Sequence, residues 1–321
     1  MIVREEEVLK RVRAIFDTSK TSASAAANIV IGNGDDGAVV KLNEGLTILS
    51  TDMAVENIHF RRAWSTSQEI GRKITAANLA DICAMGGWPE YLLVAVAFPK
   101  DYLDELEDLA RGIAEEATKV GASVIGGDLS QGSEIVISIT AVGRTLRAIT
   151  RSGAKVGDVV MISHLPGWSK AGLEILSRDL THASETSQRA LMQHRAPQID
   201  YSKYRKVYAA LNSATDISDG LLIDSGHIAG ASGVALNLQS TLIEKAEGFA
   251  ALQQLAQEFG TGESSGMDFV LSGGEDHVFL VTTSTPEKCE GFIEIGRVEQ
   301  GKGVLLDGKT VSGEAGYQHH W

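Results

Sequence analysis

The sequence predicts an α/β protein made of two α/β domains, residues 1–148 and 149–321. Three observations carry this prediction. Apolar runs of strand length alternate with segments of helical period in both halves of the chain. A cluster of Arg147, Arg151, Ser152, Gly153, Lys155 and Gly157 interrupts that alternation near 146–157 and reads as a linker. The 321 residues also exceed what a single core of average size usually serves.

Each element follows from its pattern. Val8, Leu9, Val12, Ile15 and Phe16 recur at helical spacing, so a helix is expected over 5–16, followed by a loop over 19–24. Leu46 to Ser50 reads as a strand that ends in Thr51-Asp52. An alanine-rich helix is expected over 67–86, then a nearly continuous apolar strand from Tyr91 to Phe98. Leu103, Leu106, Leu109, Ile113 and Ala117 share one face of a helix over 101–119. Strands follow at 124–125 and 135–142.

Past the linker, a strand is expected at 159–163 and helices at 168–178, 186–194 and 203–212. A helix after Asp219 precedes a strand at 234–238 and a helix at 248–259. Strands at 278–282, 293–298 and 304–306 complete the pattern. No short repeat or low-complexity tract interrupts it.

A net charge of −13 argues against a nucleic-acid or anionic-membrane partner, since both need a basic footprint. Phosphate ligands would then be met largely through divalent cations. Two cysteines, Cys83 and Cys289, suit a reducing compartment without a disulfide framework, and Cys83 reads as buried filler. The start, Met1 to Glu7, has no apolar signal core, and no apolar run has membrane-spanning length. The expected location is the cytoplasm.

Chemistry is suggested by acidic residues placed where local propensity does not ask for them. Gly34-Asp35-Asp36-Gly37 can turn two carboxylates onto a hard cation, or can be a β-turn. Ser50-Thr51-Asp52 stands at the carboxyl end of a strand, where α/β sheets bind ligands, though Asp52 can also be a cap. Asn78 and Asp81 share one face of a helix that reads as buried, so Asp81 needs a cation or an internal arginine.

Gly126-Gly127-Asp128 follows a strand and lets a phosphate approach the backbone. It is not a P-loop, and no dinucleotide fingerprint is in place. Asp216-Ile217-Ser218-Asp219-Gly220 presents three side-chain oxygens before a helix that Asp219 could merely cap. Ser272-Gly273-Gly274-Glu275-Asp276 adds a further acidic loop. Oxygen-rich motifs without a histidine or cysteine cluster point to several Mg²⁺ ions rather than zinc. Clustered Mg²⁺ points in turn to polyphosphate chemistry with ATP.

Taken in order, these motifs resemble the thiamine-monophosphate kinase family, within the aminoimidazole ribonucleotide synthetase-like superfamily. The set is Gly34-Asp35-Asp36, Ser50-Thr51-Asp52 with His59-Phe60, Asn78 to Ile82 with Ala84-Met85-Gly86, Gly126-Gly127-Asp128, Arg151 to Lys155 with Gly157-Asp158, Asp216 to Leu221, and Ser272 to Asp276. The resemblance runs from about residue 30 onward.

It implies that Asp36, Ser50, Thr51, Asp52, Asp81, Asp128, Asp216 and Asp219 ligate magnesium, with Asp52, Asp81, Asp128 and Asp219 central to catalysis. It also implies that Gly127, Asp128, Arg151 and Ser218 lie against ATP. His59, Glu275 and Tyr317 would contact thiamine monophosphate, with Trp321 a second aromatic candidate. The implied architecture is an N-terminal domain that dimerises, its sheet pairing across the two-fold into a barrel. A C-terminal domain with a mixed sheet and flanking helices completes the nucleotide and substrate sites.

The acceptor would be an ionised phosphate oxygen, which needs no strong general base. The chain departs from the family pattern at Ser163 to Ser169, at His194 to Gln198, and at His277, where the family often has tyrosine. Selenophosphate synthesis is disfavoured by the lack of an N-terminal cysteine, and hydrogenase maturation by the ending in Trp321. The alternatives that stay open are another ATP-dependent member of the superfamily and a non-catalytic nucleotide or thiamine phosphate sensor.

Overall fold

The computed structural model describes residues 5–19, 21–31, 38–41, 45–180, 184–259 and 265–311. Asp36, Tyr317 and Trp321 lie outside the described residues. The chain divides into two compact units, Met1–Ala148 and Ile149–Trp321.

The N-terminal unit begins with α1 (Glu5–Asp17), α2 (Ala23–Asn28) and a small ladder of β1 (Ile29–Ile31) with β2 (Val39–Val40). The loop expected over 19–24 is cut short at Ala23, where a helix starts behind Ser22, whose hydroxyl accepts from the Ala25 N–H. Then come β3 (Leu46–Val55), α3 (Ser67–Ala84), β4 (Trp88–Phe98), α4 (Leu106–Val120), β5 (Ser123–Gln131) and β6 (Val136–Thr145). These four longer strands form one sheet in the order β3-β6-β4-β5. Only β4 and β5 run parallel.

Two expectations are corrected here. Asp52 does not end its strand, because β3 runs on through Val55 along the whole of β6. Gly126-Gly127-Asp128 is not a loop but the middle of β5, paired with Leu93, Val94 and Ala95. A β-carbon on Gly127 would stand 1.8 Å from the Val94 carbonyl oxygen, so glycine is what lets the strands approach there. Long-range pairing overrides the turn propensity of both segments.

Helix α3 starts at a capping box of Thr66 and Glu69. It crosses α4 backbone to backbone: β-carbons on Gly71 and Gly112 would lie 2.2 Å from the Leu109 oxygen and 2.0 Å from the Gln68 oxygen. Leu79, Ile82 and Cys83 are buried on α3, as are Leu109 and Ile113 on α4. Along β3, Ile48 and Ala54 are buried, with Ser50 and Asp52 between them on the same face. The opposite face presents Leu49, Met53 and, on β4, Leu93, with 69%, 57% and 39% of their surfaces exposed.

The C-terminal unit contains β7 (Val159–Ile162), α5 (Trp168–Ser177), α6 (Glu185–Arg195), α7 (Tyr201–Val207), β8 (Ser213–Ile217), α8 (Leu221–Ser232) and β9 (Ala235–Leu238). It continues with α9 (Ser240–Glu244), α10 (Phe249–Glu258), α11 (Gly266–Ser272), β10 (Val278–Thr283), β11 (Ile293–Glu299), β12 (Gly303–Leu306) and β13 (Lys309–Thr310). The helix expected over 203–212 starts at Tyr201, ends at Val207 and passes through a 3₁₀ turn, Tyr208–Ala210, into β8.

Seven strands form a mixed sheet in the order β13-β12-β9-β11-β7-β10-β8. Val160, Ile162, Leu236, Leu280 and Ile295 from this sheet share one apolar core with Trp168, Ile228, Leu252 and Phe269 from the helices. Cys83 and Cys289 are buried, unbridged thiols. Among the described residues, no helix is long and apolar enough to cross a membrane.

Candidate active site

In the N-terminal unit Ser50, Asp52 and Asp81 lie along the seam of β3 and α3. Ser50 Oγ donates to Asp81 Oδ2 at 2.5 Å. The backbone N–H of Asp52 donates to Asn78 Oδ1 at 3.2 Å, and Asn78 anchors its other amide atom on the Ile74 carbonyl at 2.9 Å. Because β3 is an edge strand, that N–H would otherwise lack a ladder partner. Asn78, fully buried, thus fixes the backbone from which the half-buried Asp52 side chain springs.

Thr51 is not brought to this group. Period-two alternation sends its side chain to the opposite face, where its hydroxyl donates to the Ile139 carbonyl and meets the Thr140 hydroxyl, each at 3.1 Å. The Thr51 hydroxyl therefore stands on the face opposite the side chains of Ser50 and Asp52. Asp128 is exposed on β5 and accepts from Ser130 Oγ at 3.1 Å. His59 sits in the turn after β3. Val55 N–H donates into its Nδ1 at 3.0 Å, which assigns the ring proton to Nε2.

In the C-terminal unit the predicted residues surround the carboxyl end of β8. Arg151 Nε donates to Thr215 Oγ1 at 3.2 Å. Its backbone is pinned by Ser232, whose hydroxyl donates to the Arg151 carbonyl and accepts from the N–H groups of Gly153 and Ala154. Asp216, buried, meets His277 Nδ1 at 3.0 Å, also buried. The departure at His277 therefore supplies a partner to a predicted metal ligand.

The loop of Ser218, Asp219 and Gly220 is held by its backbone. All three N–H groups donate to one oxygen of Asp224, a residue the acidic motifs did not include. Its one signal in the sequence is an acid in the first turn of the helix that follows Asp219-Gly220. From the other side, Ser218 O accepts from Glu275 N–H at 2.8 Å and Ile217 O from His277 N–H at 3.1 Å.

Glu275 and His277 both hold left-handed backbone, with φ of 62° and 51°. Asp276, between them, is fully buried and accepts from the N–H groups of Gly167 at 2.6 Å and Ser169 at 3.0 Å. Helix α5 has no side-chain cap of its own, so Asp276 supplies one from a distant segment. Burial pushes the Asp276 carboxyl up to about 7, against the pull of those two N–H donors. Glu275 Oε2 lies 3.8 Å from His194 Nδ1, and that nitrogen also meets Ser169 Oγ at 3.2 Å. The two segments that depart from the family pattern, 163–169 and 194–198, therefore both reach the loop carrying Glu275.

Among the described residues, no group of three or more His, Cys, Asp or Glu side chains is close enough to hold a metal ion. The donors present are hydroxyls and carboxylates arranged singly or in pairs. That suits Mg²⁺, which takes one or two carboxylates together with substrate phosphates and waters rather than an all-protein cage.

The N-terminal unit matches the family model described as AIR synthase related protein, N-terminal domain, over residues 34–145. The N-terminal unit is thus an AIR synthase-related α/β domain. Over nearly its whole length the chain is similar to the thiamine-monophosphate kinase of Mycobacterium tuberculosis, with 37% identity over 310 residues, 95% of this chain and 90% of that protein. The thiamine-monophosphate kinase of Aquifex aeolicus is 34% identical over 292 residues, 89% of this chain and 92% of that protein. A solved structure of AaThiL complexed with AMPPCP and TMP superposes with a TM-score of 0.79 at 29% identity, covering 100% of both chains. The chain belongs to the thiamine-monophosphate kinase family, and it is an enzyme of that family.

Proposed function

We propose that this chain phosphorylates thiamine monophosphate to thiamine diphosphate, with ATP as donor and Mg²⁺ as the resident cation. The observation that carries the proposal is similarity along essentially the whole chain to a protein solved with AMPPCP and TMP together. The γ-phosphate passes directly and in line to a phosphate oxygen of the acceptor. That oxygen is already ionised at neutral pH, so the protein needs to position and neutralise rather than deprotonate.

In this reading Ser50, Thr51, Asp52, Asp81, Asp128, Asp216 and Asp219 would hold magnesium, joined by Asp36 from outside the described residues. Magnesium, when bound, supplies the charge neutralisation that two approaching polyphosphates require. Asn78 keeps Asp52 in register with Asp81 across the β3–α3 seam. Gly127, Asp128, Arg151 and Ser218 would lie against ATP, with Arg151 offering a fixed fork to phosphate oxygens. His59 would donate from Nε2 to the acceptor, while Glu275 and Tyr317 would hold its cationic, aromatic portion.

The N-terminal unit would carry metal and nucleotide binding, and the C-terminal unit would complete the nucleotide and acceptor sites. The apolar face of Leu49, Met53 and Leu93 supports a homodimer in which the four-stranded sheets of two copies pair into a barrel. The cytoplasm is the compartment where ATP and the acceptor meet, and we assign the chain to it.

The test is product analysis with ATP, Mg²⁺ and a panel of phosphate acceptors. ADP and thiamine diphosphate are expected in equal amounts from thiamine monophosphate, with little product from free thiamine. Inorganic phosphate without thiamine diphosphate would refute the assignment. Binding of ATP without ADP formation would make the chain a sensor.

A further inference from the structure

We infer that Asp224 is the positioning residue of the nucleotide loop: one buried carboxylate oxygen gathers three consecutive backbone N–H groups and so aims Ser218 and Asp219 at the phosphates of the donor. The inference rests on the proposed function, in which Ser218 and Asp219 meet the nucleotide and its metal.

The geometry distinguishes this role from ordinary helix capping. Asp224 belongs to the first turn of α8 and is buried. A cap satisfies the free N–H groups inside the first turn. Asp224 Oδ2 instead accepts from Ser218, Asp219 and Gly220, at 3.1, 3.1 and 3.2 Å, and all three precede the helix. Three successive N–H groups that converge on one point form a concave anion site. Here the anion is part of the chain, and the dipoles of the loop are drawn inward onto it.

The side chains of Ser218 and Asp219 are thereby mounted on a backbone that cannot rotate without breaking bonds to a charged acceptor. The opposite edge of the loop is fixed as well, since the Ser218 carbonyl accepts from Glu275 N–H. The second oxygen, Oδ1, is buried without a hydrogen-bond partner among the described residues and lies 3.3 Å from His227 Nδ1. His227 holds its proton more tightly than usual, chiefly through the neighbouring Asp224 carboxylate and against the effect of burial.

Two variants of the full-length chain separate the possibilities. Asp224→Ala removes the acceptor, and Asp224→Asn keeps an acceptor oxygen while removing the charge. Three quantities are read on each: hydrogen exchange at amides 218–220, calorimetric affinity for Mg²⁺–AMPPCP, and KM for ATP and for thiamine monophosphate.

In the alanine variant, exchange at those amides and the dissociation constant for Mg²⁺–AMPPCP should both rise about ten- to a hundredfold, the weight of a hydrogen-bond set to a charged group. The asparagine variant should fall between wild type and alanine, and KM for thiamine monophosphate should move by less than about twofold. Faster exchange with unchanged Mg²⁺–AMPPCP affinity would reduce Asp224 to a structural cap and overturn the inference. If the alanine variant does not fold, the asparagine variant decides alone, and wild-type Mg²⁺–AMPPCP affinity in it overturns the inference. Ser218→Ala and Asp219→Asn are measured alongside. If neither weakens Mg²⁺–AMPPCP binding, the assignment of that loop to the nucleotide fails and the inference falls with it. If they weaken binding and Asp224→Ala does not, the inference alone fails.

Discussion

Replacing Asp276 with asparagine should change how the stability of the C-terminal unit depends on pH. Asp276 is fully buried, and burial pushes its carboxyl up to about 7. Between about pH 4 and pH 7 the folded chain therefore binds a proton that the unfolded chain has released. Stability from this group is complete below the ordinary carboxylate range and is lost as pH rises through 7. At 1.36 kcal/mol per pH unit, the loss between pH 5 and pH 8 comes to about 3 kcal/mol.

Asparagine carries no such slope. It does place an NH₂ group against one of the two N–H donors of Gly167 and Ser169, at a cost of about 1–3 kcal/mol at every pH. The variant should thus be less stable than wild type at pH 5 and should recover by about 3 kcal/mol at pH 8. That equals about 6–12 °C in melting temperature for a unit of this size. Thermal or guanidinium melts of both proteins at the two pH values provide the measurement. Other titrating groups are common to both and cancel. A stability difference that is the same at pH 5 and pH 8 would refute the reasoning.

Two further outcomes are expected. Asp81→Asn should lower turnover by roughly two to four decades while leaving the melting temperature unchanged or higher, because the charge matters to the phosphates and not to the fold. A variant that melts several degrees lower yet turns over normally at saturating Mg²⁺ would show that Asp81 is a structural ion-pair partner. Leu49→Lys places a charge on the exposed apolar face of β3, where 69% of the leucine is open. Light scattering should then show a dimer for wild type and a monomer for the variant, and a monomeric wild type at micromolar concentration would refute the pairing of the sheets.

What could be read from the sequence was whatever local period or composition encodes. The apolar runs at β4 and β6 and the amphipathic face of α4 announce themselves, because one-sided burial imposes a period on the residues. Strand continuation through Asp52 and through Gly126 to Asp128 did not, since it depends on β6 and on the close approach of Val94. Helix α11 was missed because its seven residues are set by a capping box between Ser265 and Asp268 rather than by a long apolar stripe.

At the site, acids such as Asp52, Asp81, Asp216 and Asp219 stood out in the sequence because acidic residues in apolar surroundings need a reason. Their partners did not. Asn78 was visible only as a neighbour of Asp81, and its hold on Asp52 follows from β3 being an edge strand. His277 meets Asp216 across 61 residues, and Asp276 meets Gly167 across 109. Thr51 is adjacent to Ser50 and Asp52 in the motif, but the pleat turns its side chain to the other face of the sheet.

The strand order of the C-terminal sheet has a consequence for how the chain acquires its structure during synthesis. Among the described residues, β7, β8 and β9 form no ladder with one another, and each pairs with β10, β11 or β12. On the ribosome, β7 emerges and then waits while more than a hundred residues follow it. At ordinary elongation rates that wait is roughly 5–20 s. The N-terminal sheet, by contrast, has all four of its strands once Thr145 is made. The two halves of the enzyme therefore fold on different clocks: the first can close while translation continues, and the second stays open, with the apolar β7 unpaired, until β10 slides between β7 and β8. That interval, rather than any feature of the finished fold, is when this chain most needs protection from aggregation.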